Sequence, residues 1–139
     1  MSAIPPPTTP EKSTEGWPFW SILVVDDEQG MRNFLVKTLV PRCQFVMSAD
    51  SAEEGAELLR GNHVDLIILD ISLPGRNGVA WLKDLRDKGF SGEVILITAF
   101  GSADTKTRAG QLGAAILLDK PFELEDLRHA VRSVVPPRV

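Results

Sequence analysis

The sequence predicts an α/β fold in which a doubly wound, five-stranded parallel sheet carries helices on both faces. Short, almost wholly apolar runs alternate along the chain with longer segments whose apolar residues recur at steps of three and four. The short runs are typical of strands buried on both faces, and the longer segments predict amphipathic helices. Because five such pairs follow one another, the strands are expected to be parallel and joined by right-handed crossovers.

The length predicts one compact domain. The chain has 139 residues, of which 43% are hydrophobic, enough for one core with little left for a second. An arm rich in Pro, Ser, Thr and charge (1–18) is expected to precede the domain (19–135), and a short tail (136–139) is expected to follow it. The apolar residues Trp17, Phe19 and Trp20 are expected to cover the sheet, with a partner-binding patch as the alternative.

The first half of the chain supplies three strands and two helices. The strands are expected over 22–25, 44–49 and 66–69. A helix over about 28–40 has one apolar stripe, formed by Met31, Phe34, Leu35, Thr38 and Leu39. A shorter helix from 52 is expected to stop at Gly61, because glycine is favoured just past a helix end.

The second half supplies the other elements. Helices are expected over about 79–89, 103–112 and 123–135, and strands over 94–97 and 115–119. The helix over 103–112 is the weakest, because its apolar stripe is thin and Gly110 lies inside it. Five strands connected in this way favour the flavodoxin-like strand order 2-1-3-4-5.

Polar side chains stand where the strands end. Asp26 and Asp27 follow the first strand, Asp70 the third, Thr98 the fourth and Lys120 the fifth. Because ligands bind outside the carboxyl ends of the strands in open α/β sheets, these side chains are expected to meet in one crevice. Three carboxylates repel one another unless a cation compensates them, and oxygen ligands favour Mg²⁺, or Mn²⁺, over zinc. With a lysine and a hydroxyl, these groups suit phosphoryl transfer onto a carboxylate.

Composition excludes several functions. A net charge of −4 and a pI near 5.1 give no basic field for a phosphate backbone, so no direct nucleic-acid binding is expected. No apolar stretch approaches the roughly 20 residues of a membrane span. Cys43, an expected partly buried and inert thiol, cannot form an internal disulfide and suits a cytoplasmic protein. His63 and His129 are expected at the surface.

The chain resembles the receiver domains of two-component response regulators over about 21–135. The motifs that carry the resemblance are Asp26-Asp27, Asp70 with Leu73-Pro74-Gly75 and Gly78, Thr98-Ala99, and Lys120-Pro121-Phe122. It implies that Asp70 accepts a phosphoryl group from a sensor histidine kinase or a phosphotransfer protein. It also implies a regulator that catalyses only its own phosphorylation and dephosphorylation, and not a turnover enzyme.

The resemblance implies a role for each metal-site residue. Asp27, Asp70 and the backbone carbonyl of Ser72 would bind Mg²⁺ directly, and Asp26 would act through a bound water. Ser72 is also, with Phe100, a position that would tune the lifetime of the phosphorylated state. The large apolar side chain of Phe100 would crowd out the attacking water; the alternative is that the ring points away and packs against the following helix.

The phosphoryl group would be held on the other side of the crevice. Thr98, the amide of Ala99 and Lys120 would bind its oxygens, and the bond from Lys120 to Pro121 is expected to be cis. Leu117 departs from the family, because receivers usually carry Tyr or Phe at this position of the switch. An interaction module that works without phosphorylation therefore stays open as an alternative, as does a turnover phosphatase.

Partners are expected on one side of the domain. An unknown output partner would bind the face formed by 103–112, 115–119 and 123–135, because these segments follow Thr98 and Lys120 directly. A phosphorylation-dependent homodimer is a further expectation from the resemblance.

Overall fold

The computed structural model describes residues 20–43, 45–73, 76–99, 103–114 and 116–134. Five strands lie parallel in one sheet: β1 (Ser21–Val25), β2 (Phe45–Ala49), β3 (Leu66–Asp70), β6 (Glu93–Thr98) and β7 (Ile116–Asp119). The spatial order is β2-β1-β3-β6-β7, with β1 and β3 paired at the centre and β6 beside β3. The predicted fold class and strand order are confirmed.

The five helices start and stop within a few residues of the predicted positions: α1 (Gln29–Leu39), α2 (Ala52–Gly61), α3 (Gly78–Asp87), α4 (Ala103–Gln111) and α5 (Leu124–Val134). Side chains fix two of their starts. Ser51 accepts a hydrogen bond from the Glu54 amide at the start of α2, and Asn77 accepts from the amides of Val79 and Ala80 at the start of α3. None of these described helices combines the length and apolar character needed to cross a membrane.

Alternate side chains of each strand build two separate cores. Leu23 and Val25 of β1 pack on one face of the sheet with apolar residues of α2 and α3. Ile22 and Val24 pack on the opposite face with α1 and α5. Cys43 belongs to the second core and is 2% exposed, so it is more completely buried than the partly buried thiol that the sequence predicted.

A small antiparallel hairpin between the third strand and α3 was not predicted. It pairs β4 (Ser72–Leu73) with β5 (Arg76–Asn77). Several predictions lie outside the described residues: those on the arm, the tail, Gln44, Pro74-Gly75 and Ala115, and the Phe100 lifetime role.

Arg86, near the end of α3, ties together three segments at the amino-terminal edge of the sheet. Its guanidinium donates to the backbone carbonyls of Phe90 and Gly92, 3.0 and 2.8 Å away, in the loop before β6. It also donates to the carbonyls of Leu112 and Gly113, 2.8 and 3.2 Å away, directly after α4. Because one planar group serves four acceptors, Arg86 fixes the end of α4 against α3.

We expect Arg86→Met to lower the free energy of unfolding, measured by urea denaturation, by about 2 kcal/mol. The four carbonyls that accept from the guanidinium would then lack their hydrogen-bond donor. Arg86→Lys should restore less than half of this lost free energy, since an ammonium group cannot reach all four carbonyls. Lys83→Met on the same helix is the control. The ion pair of Lys83 with Asp87 has both side chains 59% exposed, so the change should stay within about 0.5 kcal/mol. Equal losses in Arg86→Met and Lys83→Met would contradict this account.

Candidate functional site

Three carboxylates meet at the carboxyl-terminal edge of the sheet. Asp26 and Asp27 directly follow β1, and Asp70 is the last residue of the neighbouring β3. One oxygen from each lies within 4.8 Å of the others. Asp26 is wholly buried and Asp70 is 2% exposed, whereas Asp27 faces solvent. The structure therefore brings together the three acidic residues that the sequence pattern placed at one edge.

Lys120 reaches into this cluster from the end of β7. Its Nζ atom donates a hydrogen bond to Asp70 Oδ2 at 3.1 Å and lies 3.4 Å from Asp26 Oδ2. Glu28 Oε1, at the start of α1, is 4.0 Å from the same ammonium. The bond from Lys120 to Pro121 is cis. The lysine thus lies beside two of the carboxylates, and its side chain is only 20% exposed.

Thr98 lies beside Lys120 across the sheet. It is the last residue of β6 and is 3% exposed, and its carbonyl accepts a 2.7 Å hydrogen bond from the Lys120 amide. Ala99 follows it at the surface. The backbone of Leu117 pairs with Leu96, while its side chain is outside the described part of the chain.

The backbone after β3 holds the Asp70 carboxylate in place. Asp70 Oδ1 accepts a 2.9 Å hydrogen bond from the Ser72 amide. Gly78, the first residue of α3, donates to the Ile71 carbonyl at 2.7 Å. A Cβ atom at Gly78 would lie 2.7 Å from both the Asp70 carbonyl oxygen and Ile71 Cα, so only glycine allows this approach. The hairpin and α3 are thereby held directly against the Asp70 backbone.

The environment of Asp26 disfavours its charge. Burial, the largest cause, raises the pKa of Asp26 to about 6; the Glu28 amide lowers it and the charge of Asp70 raises it further. Asp26 Oδ1 accepts from that amide at 2.9 Å, whereas the buried Oδ2 atom makes no hydrogen bond within the described residues and is held by the ion pair with the Lys120 ammonium, 3.4 Å away. Burial also lowers the pKa of Lys120, but Asp70 and Asp26 outweigh this and hold the pKa above its ordinary value.

The donor set fits a hard divalent cation. It consists of three carboxylates, one with an oxygen that lacks a hydrogen bond, and the cluster contains neither histidine nor cysteine. His63 lies at the opposite edge of the sheet, where its Nε2 is 2.8 Å from Asp65 Oδ1, and His129 is exposed on α5. Both histidines are at the surface, as predicted.

Two residues next to the cluster were missed by sequence reasoning. Glu28 contributes its amide to Asp26 and its carboxylate to the surroundings of Lys120. Arg32, one turn later, donates from Nη1 to the Asp26 carbonyl oxygen at 2.8 Å. Glu28 precedes α1 and Arg32 lies in its first turn, and neither belongs to the apolar stripe from which this helix was predicted.

The family described as response regulator receiver domain matches residues 22–132. The transcriptional regulatory protein CiaR of Streptococcus pneumoniae is 38% identical over 82% of this chain and 50% of its own length. The sporulation initiation phosphotransferase F of Bacillus subtilis is 30% identical over 83% of this chain and 93% of its own length. The chain thus spans about half the length of CiaR and nearly all of the phosphotransferase.

Solved structures share the architecture. Chemotaxis protein CheY4 of Vibrio cholerae superposes with a TM-score of 0.79 at 25% identity, covering 85% of this chain and 100% of its own. The response regulator TrrA of Thermotoga maritima, solved in complex with Mg(2+)-BeF, superposes with a TM-score of 0.73 at 28% identity. That match covers 84% of this chain and 99% of TrrA.

The pKa of Asp26 predicts how stability depends on pH. Between its ordinary value of 3.8 and the folded value of about 6, the native state holds the proton more tightly than the unfolded chain. The free energy of unfolding therefore falls as pH rises across this window, and above it the folded protein bears the full cost of a buried carboxylate. In urea denaturation with a chelator at neutral pH, we expect the free energy of unfolding of Asp26→Asn to be higher than that of the wild type by on the order of 2 kcal/mol.

This advantage should shrink toward pH 4, where the wild-type carboxyl is largely protonated in the folded state and increasingly so in the unfolded chain. Asp27→Asn is the matched control, because it removes a negative charge from the exposed side of the same cluster. A difference between Asp26→Asn and wild type that stays constant from acid to neutral pH would contradict the assignment.

Proposed function

The chain belongs to the response regulator receiver domain family of two-component systems, and on that premise we propose that Asp70 is the phosphoryl acceptor in a Mg²⁺-dependent reaction. The observation that carries the proposal is the position of its carboxylate. It is nearly buried at the end of a central strand, 3.1 Å from the Lys120 ammonium and beside Asp26 and Asp27. A carboxylate so placed is a positioned nucleophile with cationic support.

The phosphoryl donor would be a phosphohistidine of a sensor histidine kinase or a phosphotransfer protein. A carboxylate oxygen of Asp70 attacks phosphorus as the bond between phosphorus and the imidazole nitrogen breaks. The product is an acyl phosphate on Asp70, and the released imidazole takes up a proton from water. Hydrolysis of this acyl phosphate returns the carboxylate, so the chain acts on itself and does not turn over an external substrate.

Lys120 and Thr98 would hold the transferred group. In the resting structure the Lys120 ammonium pairs with Asp70, and on transfer it would pair with a phosphoryl oxygen instead. The Thr98 hydroxyl and the Ala99 amide would donate to the remaining oxygens. Because the Lys120 amide is hydrogen-bonded to the Thr98 carbonyl, the two residues keep a fixed spacing along the edge.

Magnesium would be bound by Asp27, Asp70 and the Ser72 carbonyl, with Asp26 acting through a water; manganese could replace it. When bound, the ion neutralises charge on the transferring oxygens. The exposure of Asp27 supports its role as a direct ligand that is open to solvent. The Asp26 oxygen that makes no hydrogen bond within the described residues supports a water-mediated role for Asp26. The likeness to TrrA, solved with Mg(2+)-BeF, supports the same ion.

The signal would leave through α4, β7 and α5. Ala109 is the one buried residue in α4, so few contacts hold this helix and a shift at Thr98 can move it. We place the output partner, or a second phosphorylated copy, on this face. We propose no direct contact with nucleic acid or membrane, and a cytoplasmic location on the compositional grounds given above. Ser72 and Phe100 are proposed to set the lifetime of the acyl phosphate.

Leu117 favours a second candidate, a receiver-shaped interaction module whose partner binding does not depend on phosphorylation. An aliphatic side chain replaces the aromatic ring that receivers usually carry there. The two functions differ in one measurable respect. Phosphorylation of Asp70 would shift amides along the whole of α4 under the first proposal, and only amides next to the phosphoryl group under the second.

Incubation with Mg²⁺ and acetyl phosphate should add one phosphoryl mass to the intact protein, as measured by mass spectrometry. Asp70→Ala should remove this addition, because it removes the nucleophile. Asp50→Ala is the matched control, since Asp50 follows another strand of the sheet at the same edge but lies outside the cluster. An unchanged phosphoryl mass in Asp70→Ala would overturn the proposal.

We expect Mg²⁺ binding, measured by calorimetry, to be weak in the wild type and lost in Asp27→Ala. The remaining carboxylates supply too few hard ligands for an ion that gives up water reluctantly. Asp50→Ala should bind as the wild type does. Undiminished affinity in Asp27→Ala would refute the assignment of this residue as a ligand.

A further inference from the structure

A groove of about 780 Å³ opens at the amino-terminal edge of the sheet, opposite Asp70. Helices α2 and α3 form its sides, and the segments before β3 and β6 form its end. The apolar part of its lining is Trp20, Ala56, Leu59, Val64, Trp81, Leu85 and Phe90. Trp81 is 4% exposed and packs into the core, whereas Leu59 and Phe90 are only half-buried. The groove thus offers partly uncovered apolar surface.

The described chain begins at this groove. Trp20 is among its lining residues, although it also packs against the core on the opposite face of the sheet. The Ser21 amide donates to Asp65 Oδ2 at 2.9 Å, and the Asp65 amide donates to the Ser21 carbonyl at 2.8 Å. Because Asp65 also lines the groove, residues 1–19 join the domain at the edge of the groove itself.

The side chains of β1 alternate between the two faces of the sheet. Leu23 and Val25 pack on the sheet face that carries α2 and α3, and Trp20 packs with the core on the other face. Side chains of an extended chain alternate between faces. If the extended backbone of β1 continued toward the amino terminus, the same alternation would direct Phe19 and Trp17 to the side of the groove.

We propose that the groove is the docking site of this chain's own segment 17–19, with Phe19 and Trp17 as its anchors. The segment carries two large aromatic side chains on either side of Pro18, and these are suited to fill partly uncovered apolar surface. The segment is tethered one residue from Trp20, so its effective concentration at the groove is on the order of millimolar or higher. Docking would cover apolar surface of the groove and of both anchors at once.

Docking of segment 17–19 does not depend on phosphorylation, because the groove and Asp70 lie at opposite edges of the sheet. Its test compares amide spectra of the 139-residue chain with those of Trp17→Ala/Phe19→Ala. Ile4→Ala, which removes an apolar side chain of the same arm far from the proposed anchors, is the matched control.

We expect the double variant to shift the amides of Leu59, Gly89 and Phe90 well beyond any shift in Ile4→Ala. Amides of α5, on the opposite face, should not move. Groove amides that are unchanged in the double variant would overturn the proposal. Shifts that vanish on dilution of the wild type would also overturn it, because they would show that a second copy supplies the occupant.

A spin label provides a second measurement that does not require removing the anchors. A nitroxide at Ser13→Cys, in a Cys43→Ala background, should broaden Gly89 and Phe90 more than residues of α5. Dilution with unlabelled protein should leave this broadening unchanged if the contact is within one chain. Uniform broadening over both faces would contradict docking.

Discussion

The rest of the site depends on one electrostatic constraint, the convergence of three carboxylates at the carboxyl edge of a parallel sheet. In the described part of the chain, the Lys120 ammonium lies within 4 Å of two of them, and Asp26 is wholly buried. Burial and the neighbouring charge of Asp70 raise the pKa of Asp26, so the resting site is short of positive charge. A site in this state favours binding of a divalent cation.

The backbone around this edge holds the charged groups at fixed positions. Gly78 brings the start of α3 against the Asp70 backbone, and the Ser72 amide binds the Asp70 side chain. On the other side, the hydrogen bond from Lys120 to Thr98 links the ends of β6 and β7. These contacts hold the carboxylate at the end of the central strands, whose side chains form both cores.

The edges of the domain differ in how firmly they are held. Arg86 fastens the end of α4 through the carbonyls of Leu112 and Gly113, while α4 itself buries a single residue. This helix is therefore anchored at one end and lightly packed along its length. Such an element can respond to a small displacement near Thr98 without disturbing the core.

The sequence by itself determined the strands, the helices and the edge at which polar residues meet, because alternating apolar runs and helical periodicity are local patterns. It did not determine that Asp26 is buried while Asp27 is exposed, or that Gly78 closely approaches Asp70. Neither the hairpin after β3 nor the Arg86 contacts left a periodic signal. These features depend on distances between segments far apart in the chain, which only the tertiary packing decided.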